Sequence, residues 1–385
     1  MRILVDYRPA LRERTGVGEY VHELVRAYTA LPEARDDQLS LFTSSWKDRP
    51  AASVERQLGA RLIDRRVPVR LLNYAWHRLE SPPIEWLAGD ADVVHGLHPL
   101  LIPARRAAQV VTIHDLFFLD APARARAEIR RDYASLAPAH ARRAHAVLAP
   151  SRYTAGRIER ELGVAPARVY VCPPGPPAWS AFHAPGSGFH DRLTRPVPPP
   201  RDGVVLFIGT LEARKNVGAL LEAYRILLRC GDEPPPLRLV GRATPDAAGW
   251  LEDLGRAPLA GRVVHTGYIG EPERAITYGQ AKMLVMPSLD EGFGLPVLEA
   301  MASGVPVIAS NRGSLPEVLG GAGMLVEPHD HEGLAAAIRR VMNREVAEDL
   351  SARGLARARD FSWARTAATV RQMYLDAVAR RQAGD

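Results

Sequence analysis

Short runs of Val, Ile and Leu punctuate the chain, and between them apolar residues recur at three- and four-residue intervals. The runs in the first half are RILVD (2–6), DVVHG (92–96), VVTIHD (110–115), AVLAPS (146–151) and RVYVCPPG (168–175). Those in the second are GVVLFIG (203–209), LRLVG (237–241), RVVHTGY (262–268), MLVMPS (283–288), VPVIAS (305–310) and GMLVEP (323–328). Strand-like runs alternating with helical periods signal βαβ units, and near-continuous apolar content predicts parallel strands buried on both faces. Residues 173–203, rich in Pro and Gly and lacking either period, read as a long linker. From Phe361 onward the apolar spacing is that of one amphipathic helix. The pattern predicts an α/β chain of two Rossmann-like, doubly wound parallel-sheet domains facing across a cleft. Their bounds are 1–180 and 203–360, joined by a linker at 181–202, with a helix at 361–385 packing back on the first domain.

Composition supports a globular protein: 46% hydrophobic and 24% charged over 385 residues, a length suited to two domains. Two cysteines, Cys172 and Cys230, have no metal spacing and exclude a disulfide framework. The N-terminal run is broken by Asp6 and Arg8, so it reads as a strand and not a secretory signal. No apolar run reaches about 18 residues, which leaves nothing to span a bilayer. The expected location is therefore cytoplasmic. The net charge of +6 lies in the first half, where Lys and Arg outnumber Asp and Glu by 28 to 21 across residues 1–200. Much of it falls in the arginine-rich stretch 123–145. A solvated helix face explains that stretch, as does attraction to an anionic acceptor or to lipid headgroups at the inner membrane face. Nucleic acid is disfavoured, because no aromatic residues interleave with the arginines.

The strongest chemical signal is EGFGLPVLEAMASGVPVIAS (291–310), directly after a strand. Gly292 and Gly294 leave backbone N–H groups bare, and Pro296 suits the first position of a helix whose positive end favours a phosphate. Glu299 is expected in the first turn of that helix. Glu291 precedes the glycines, so one carboxylate stands on each side of the expected phosphate site. Upstream, FIGTLEARKNVGALLEAY (207–224) puts Arg214 and Lys215 in a βα turn, where two cations can neutralise a diphosphate.

These blocks resemble the family 4 retaining glycosyltransferases of the GT-B fold, strongly over about 203–340 and more weakly in the first half. The resemblance implies that Arg214 and Lys215 hold the donor diphosphate, Glu291 binds hydroxyls of the transferred sugar, and Glu299 binds the ribose. Gly209 and the segment Gly292, Phe293, Gly294 and Leu295 would line the donor, and Tyr268 the nucleobase. In the first half, Gly16 and Gly18 of RTGVGEYVHEL (14–24) are expected in the loop after strand one, near the phosphates and the acceptor. His114 would line the catalytic centre, with Asp115 on the acceptor side. DYRP (6–9) and the His114 block look most like bacterial mannosyltransferases that build O-antigen and related polysaccharides.

The implied reaction is a metal-independent, retaining transfer of a hexose, with GDP-mannose the favoured donor, to a saccharide or lipid-linked saccharide. No cofactor or metal is expected. UDP-glucose or UDP-N-acetylglucosamine with a small acceptor is the alternative within that class. A nucleotide-sugar epimerase, a glucan phosphorylase or a silent binding subunit are the rivals outside it. Asp90-Ala-Asp92 and His329-Asp-His331 have the look of metal motifs, but each sits at an expected element boundary and reads as structural.

Overall fold

The computed structural model describes residues 1–11, 16–51, 53–120, 132–179 and 203–384. The linker at 181–202 and residues 123–131 of the arginine-rich stretch lie outside the described residues. The chain divides into two units, Met1–Gly175 with Ser362–Asp385, and Pro176–Phe361.

Unit 1 holds the strands β1 (Arg2–Asp6), β2 (Gln38–Ser44), β3 (Arg61–Arg65), β4 (Val93–Gly96), β5 (Ala108–Thr112), β6 (Ala146–Ala149) and β7 (Val169–Val171). They form one parallel sheet in the order β3-β2-β1-β4-β5-β6-β7, with Ile3 opposite Leu39 on one side and Val93 on the other. The apolar pattern misses β2 and β3. QLSLFTS carries Ser and Thr among its apolar residues, and RLIDR is an edge strand that needs little apolar content.

The helices of this unit are α1 (Gly16–Thr29), α2 (Val54–Leu58), α3 (Val69–Arg78), α4 (Ile84–Ala88), α5 (Phe117–Asp120), α6 (Ala134–Arg143) and α7 (Arg152–Leu162). Ser151 caps α7 by accepting from the Thr154 N–H, and Gly163 ends it in the left-handed conformation.

Unit 2 holds β8 (Val204–Ile208), β9 (Leu237–Val240), β10 (Val263–His265), β11 (Ala281–Met286), β12 (Val307–Ser310) and β13 (Met324–Val326), all parallel, in the order β10-β9-β8-β11-β12-β13. Its helices are α8 (Val217–Arg229), α9 (Ala248–Asp253), α10 (Glu271–Gly279), α11 (Leu295–Ala302), α12 (Leu315–Leu319), α13 (His331–Met342) and α14 (Arg344–Ala358). One continuous core runs from Val205 and Phe207 through Leu220, Met283 and Leu298 to Ile338.

The last helix, α15 (Trp363–Ala383), belongs to unit 1. Trp363, Val370, Met373 and Tyr374 join Val93 and Val110 in its core. Polar ties reinforce that packing. The Tyr374 hydroxyl lies 2.7 Å from His95 Nδ1, whose Nε2 is 2.8 Å from the Thr112 hydroxyl. The Tyr170 hydroxyl donates to Asp376 at 2.6 Å.

Candidate functional site

In both sheets the strand order reverses at an inner pair, β1 with β4 in unit 1 and β8 with β11 in unit 2. Loops leaving the carboxyl ends of such a pair diverge, and the crevice between them is where parallel sheets bind ligands.

In unit 2 the loop after β8 makes a tight turn through Ala213–Lys215, and Asn216 then adopts the left-handed conformation at φ +53° before α8 begins. The Asn216 side chain holds that strained residue in place, donating to the carbonyls of Pro287 (3.1 Å) and Pro328 (2.8 Å). The loop after β11 comes to meet it. Leu289 N–H donates to the Arg214 carbonyl at 2.8 Å.

Between these loops lies a buried ionic cluster. Lys215 Nζ is 2.5 Å from Glu291 Oε1, and an Arg214 guanidinium nitrogen is 3.1 Å from Oε2 and 2.9 Å from the Asp290 carbonyl. Burial alone would raise the Glu291 carboxyl, but the Lys215 and Arg214 charges outweigh it and bring it down to about 2. Glu291 is therefore an anion at neutral pH, held by two cations. The arrangement can offer an anion two pre-assembled positive groups and a hydroxyl an ionised carboxylate.

The glycine segment lies alongside. Phe293 is buried against Phe361, and Gly294 takes φ +94° to launch α11, with Leu295 and Pro296 in its first turn. A Cβ on Gly294 would lie 2.7 Å from Leu315. The Glu291 carbonyl accepts from the Ser314 N–H (3.0 Å) and hydroxyl (2.9 Å), fixing the backbone around Gly292.

Glu299 corrects the expectation from the sequence. α11 starts at Leu295, so Glu299 falls in its second turn, and no acid occupies the first. Glu299 also stands in a separate network from Glu291. Its Oε2 accepts from Tyr278 at 2.8 Å, and Oε1 lies 3.7 Å from Arg274. Burial holds its carboxyl above the ordinary value against the pull of Arg274 and Tyr278. Trp179 stacks on Tyr278 with ring centroids 5.5 Å apart. Tyr278, Arg274 and Trp179 escaped the sequence reading because each is remote from Glu299 along the chain.

On the other side of β8, Gly209 and Gly241 meet back to back. A Cβ on Gly241, at φ +136°, would lie 1.9 Å from the Gly209 carbonyl oxygen. Gly241 N–H donates to the Gly267 carbonyl at 2.7 Å, which sets Tyr268 at the carboxyl ends of β9 and β10, its ring 5.6 Å from the Arg242 guanidinium. Tyr268 is thus positioned by the neighbouring strands.

In unit 1, Gly16 and Gly18 are not in a loop. They form the first turn of α1, where a Cβ on Gly18 would lie 2.8 Å from the Pro9 carbonyl oxygen. His114 and Asp115 follow β5. His114 packs edge-on against Tyr20 at 5.2 Å and hydrogen-bonds with the Leu97 backbone, leaving Nε2 buried with no hydrogen-bond partner among the described residues. Burial lowers its imidazole to about 4, so the ring is neutral at pH 7. Asp115 accepts from the Phe117 N–H at 3.2 Å, at the start of α5.

A further polar cluster sits at the carboxyl ends of β1 and β4. Arg8 grips Asp6 through two nitrogens at 2.8 and 2.7 Å and reaches Asn73 at 2.9 Å. His98 lies 3.3 Å from Asp6, and His77 3.4 Å from Asp132. Asp6 is fully buried, yet Arg8 and His98 hold its carboxyl far below the usual range.

The two metal-like motifs have ordinary structural roles. Asp92 binds the Arg2 N–H and guanidinium, and Asp330 caps α13 through the Gly333 N–H. Among the described residues no group of three or more His, Cys, Asp or Glu is arranged to hold a metal ion.

Comparison with known proteins agrees with this geometry. Residues 14–177 match the description "Glycosyltransferase Family 4", and residues 202–344 match "Glycosyl transferases group 1". The chain is 30% identical to O-antigen chain mannosyltransferase B of Escherichia coli, across 94% of this chain and 96% of that protein. It is 31% identical to the MMP alpha-(1->4)-mannosyltransferase of Mycolicibacterium hassiacum, across 76% and 72%. Its fold matches a sucrose-phosphate synthase from Thermosynechococcus elongatus with a TM-score of 0.74 at 22% identity, covering 97% and 98%. The chain belongs to the family 4 glycosyltransferases, enzymes of glycan biosynthesis with two Rossmann-like units of GT-B type.

Proposed function

We propose that this enzyme transfers a mannosyl residue from GDP-mannose, with retention at the anomeric carbon, to a saccharide or lipid-linked saccharide. The observation that carries this reading is the buried Arg214–Lys215–Glu291 cluster at the strand-order reversal of unit 2. The mannosyl assignment draws on the names of the two relatives.

In this reading Arg214 and Lys215 turn from Glu291 to the donor diphosphate and stabilise the charge that grows on the departing nucleotide. Because two cations and the amino end of α11 supply that stabilisation, the reaction needs no metal or cofactor. Glu291, released from the cations, accepts from hydroxyls of the transferred sugar. Glu299, already oriented by Tyr278, accepts from the ribose, and Tyr268 packs on the base. Gly209 and the Gly292–Leu295 segment let backbone approach the phosphates.

Gly16, Gly18, His114 and Asp115 serve the acceptor and the transferred sugar. The neutral His114 ring suits a hydroxyl and not a phosphate, and its Nε2, without a partner among the described residues, is the atom available for one. The bond from the anomeric carbon to the leaving phosphate breaks on the same face on which the acceptor oxygen bonds. The departing phosphate oxygen takes the acceptor proton.

A thermal-shift screen of nucleoside diphosphates tests the donor, since a ligand that binds only the folded state raises its stability with affinity. GDP is expected to shift the midpoint more than UDP, and the reverse order would overturn the GDP assignment. Lys215→Ala and Glu291→Ala are each expected to lower turnover about 10³-fold. Near-native turnover in both would reject the cluster as the catalytic site.

A further inference from the structure

A cleft of about 230 Å³ opens in unit 1 between the end of α3, α4 and the last turn of α6. It lies toward the amino end of β5, where Gln109 stands. Ligand loops of a parallel sheet gather at the carboxyl ends of its strands, so the candidate site above does not account for this lining.

Three groups set what the cleft can hold. Trp86 gives an aromatic wall, 65% exposed although the Arg105 guanidinium lies over its ring at 5.0 Å. His140 supplies a donor. The residue is buried, its Nδ1 accepts from the Leu101 N–H at 3.0 Å, and burial lowers its imidazole to about 4. A neutral ring whose Nδ1 accepts carries its hydrogen on Nε2, and that N–H has no hydrogen-bond partner among the described residues. Gln109 supplies an acceptor. Its Nε2 donates to the Ile102 carbonyl at 2.6 Å, which leaves Oε1 without a partner among the described residues.

The rim is strained. Glu80 takes φ +46°, a left-handed conformation that few non-glycine residues adopt, and both terminal nitrogens of Arg143 grip its carboxylate at 2.6 and 2.9 Å. Strain of this kind persists where the surroundings over-determine it, and it gathers at ligand sites. Glu80 and Arg143 cancel in charge, and Gln109 and His140 are neutral at pH 7. Arg105 alone among the described lining residues brings an uncompensated charge.

We propose that this cleft binds one unit of a neutral saccharide chain, an acceptor glycan gripped away from its reacting end. The C–H face of a pyranose ring is apolar and covers the Trp86 ring, while its hydroxyls meet the His140 donor and the Gln109 acceptor. A nucleotide or other phosphorylated ligand would meet one cation here, where the cluster in unit 2 offers two. The inference rests on the saccharide-acceptor reading given above. It adds a second point of attachment, which raises the effective concentration of the reacting end.

Hydrogen exchange of the full chain with an α-linked mannose tetrasaccharide, without nucleotide, is expected to show protection of the amides in 80–86 and 101–109. Trp86→Ala should remove that protection at an unchanged melting temperature, and Trp86→Phe, which keeps an aromatic face, should retain most of it. With the tetrasaccharide as acceptor, Trp86→Ala should raise KM about tenfold and hold kcat within about twofold. A tetrasaccharide that leaves these amides unprotected, or that protects them equally in Trp86→Ala, would overturn the proposal. So would protection by GDP alone, or a fall in kcat at constant KM. Glu291→Ala, expected to lose turnover with the protection intact, keeps a failure of the transfer reading distinct from a failure of this one.

Discussion

The carboxyl ends of the two sheets solve different problems with different residues. In unit 2 the pair of strands at the reversal carries permanent charge, with Lys215 and Arg214 around an ionised Glu291 and glycines bringing backbone close. In unit 1 the corresponding end is furnished with imidazoles and aromatic rings, among them His77, His114 and Tyr20, beside the Asp6–Arg8 pair. Fixed charge suits a ligand that is always an anion. Neutral rings with hydrogen-bonding edges suit hydroxyls, whose recognition depends on geometry more than on charge. The contrast supports the proposal that unit 2 takes the diphosphate, on physical grounds independent of any motif.

The sharpest way to test the contrast is to break the charge compensation in unit 2. Lys215→Met leaves Glu291 buried beside Arg214 with one partner gone, and is expected to cost about 3–5 kcal/mol in urea unfolding. Adding Glu291→Leu should recover most of that stability while turnover stays lost. A double variant as unstable as the single one would show that packing, not charge, holds the loop. Next in size is Gly241→Ala, whose methyl group meets the Gly209 carbonyl in a strained backbone region. A loss of about 3 kcal/mol is expected, with hydrogen exchange rising first in β8 and β9. Gly16→Ala in unit 1, with no atom of the described residues within 4 Å of its added carbon, should change stability by under about 1 kcal/mol.

Acid separates the units as well. Burial lowers His77, His114 and His140 to about 4 and His95 to about 3. Below their ordinary value of 6.5, the unfolded chain takes up protons that the folded unit 1 refuses. Stability then falls by up to about 1.4 kcal/mol per pH unit for each ring, down to its folded value. Glu291 works in a lower window. Its folded carboxyl is depressed from 4.5 to about 2, so its contribution is complete above 4.5 and lost only as pH falls toward 2. Hydrogen exchange at pH 5 should therefore find unit 1 loosened and unit 2 near its neutral-pH protection. Equal loosening would contradict the contrast. A modest effect is expected from Tyr278→Phe, which removes one bond to Glu299 and should cost about 1 kcal/mol in urea unfolding.

What the sequence made legible follows the same division. Unit 2 announces itself because its site is assembled from two contiguous blocks, each directly after an apolar strand, so that Arg214, Lys215, Glu291 and the glycines can be found by reading along the chain. Asn216 sat in plain view within ARKN, but its bonds to Pro287 and Pro328 depend on loops more than 70 residues away. The first-turn placement of Glu299 failed by one turn because the helix opens at Leu295, and Tyr278, its partner, lies 21 residues upstream. In unit 1 the polar cluster draws on Asp6, Asn73, His98 and Asp132, which share no motif and meet only when β1, α3 and β4 are in place. The strands show a parallel case. Buried runs such as VVLFI declare themselves, whereas β2 and the edge strand β3 mix polar with apolar residues and do not.

The position of α15 has a consequence for how the molecule comes into being. Its Trp363, Val370, Met373 and Tyr374 complete a core begun by β1 and β4, near the opposite end of the chain. During synthesis the first unit must therefore wait with an uncovered sheet face while some 185 intervening residues emerge and close on their own core. Unit 2, continuous in sequence, can finish folding on the ribosome; unit 1 can do so only after the last helix is released. The half of the enzyme made first is the half completed last, and its exposed face in the interim is the stretch of the nascent protein most in need of protection from aggregation.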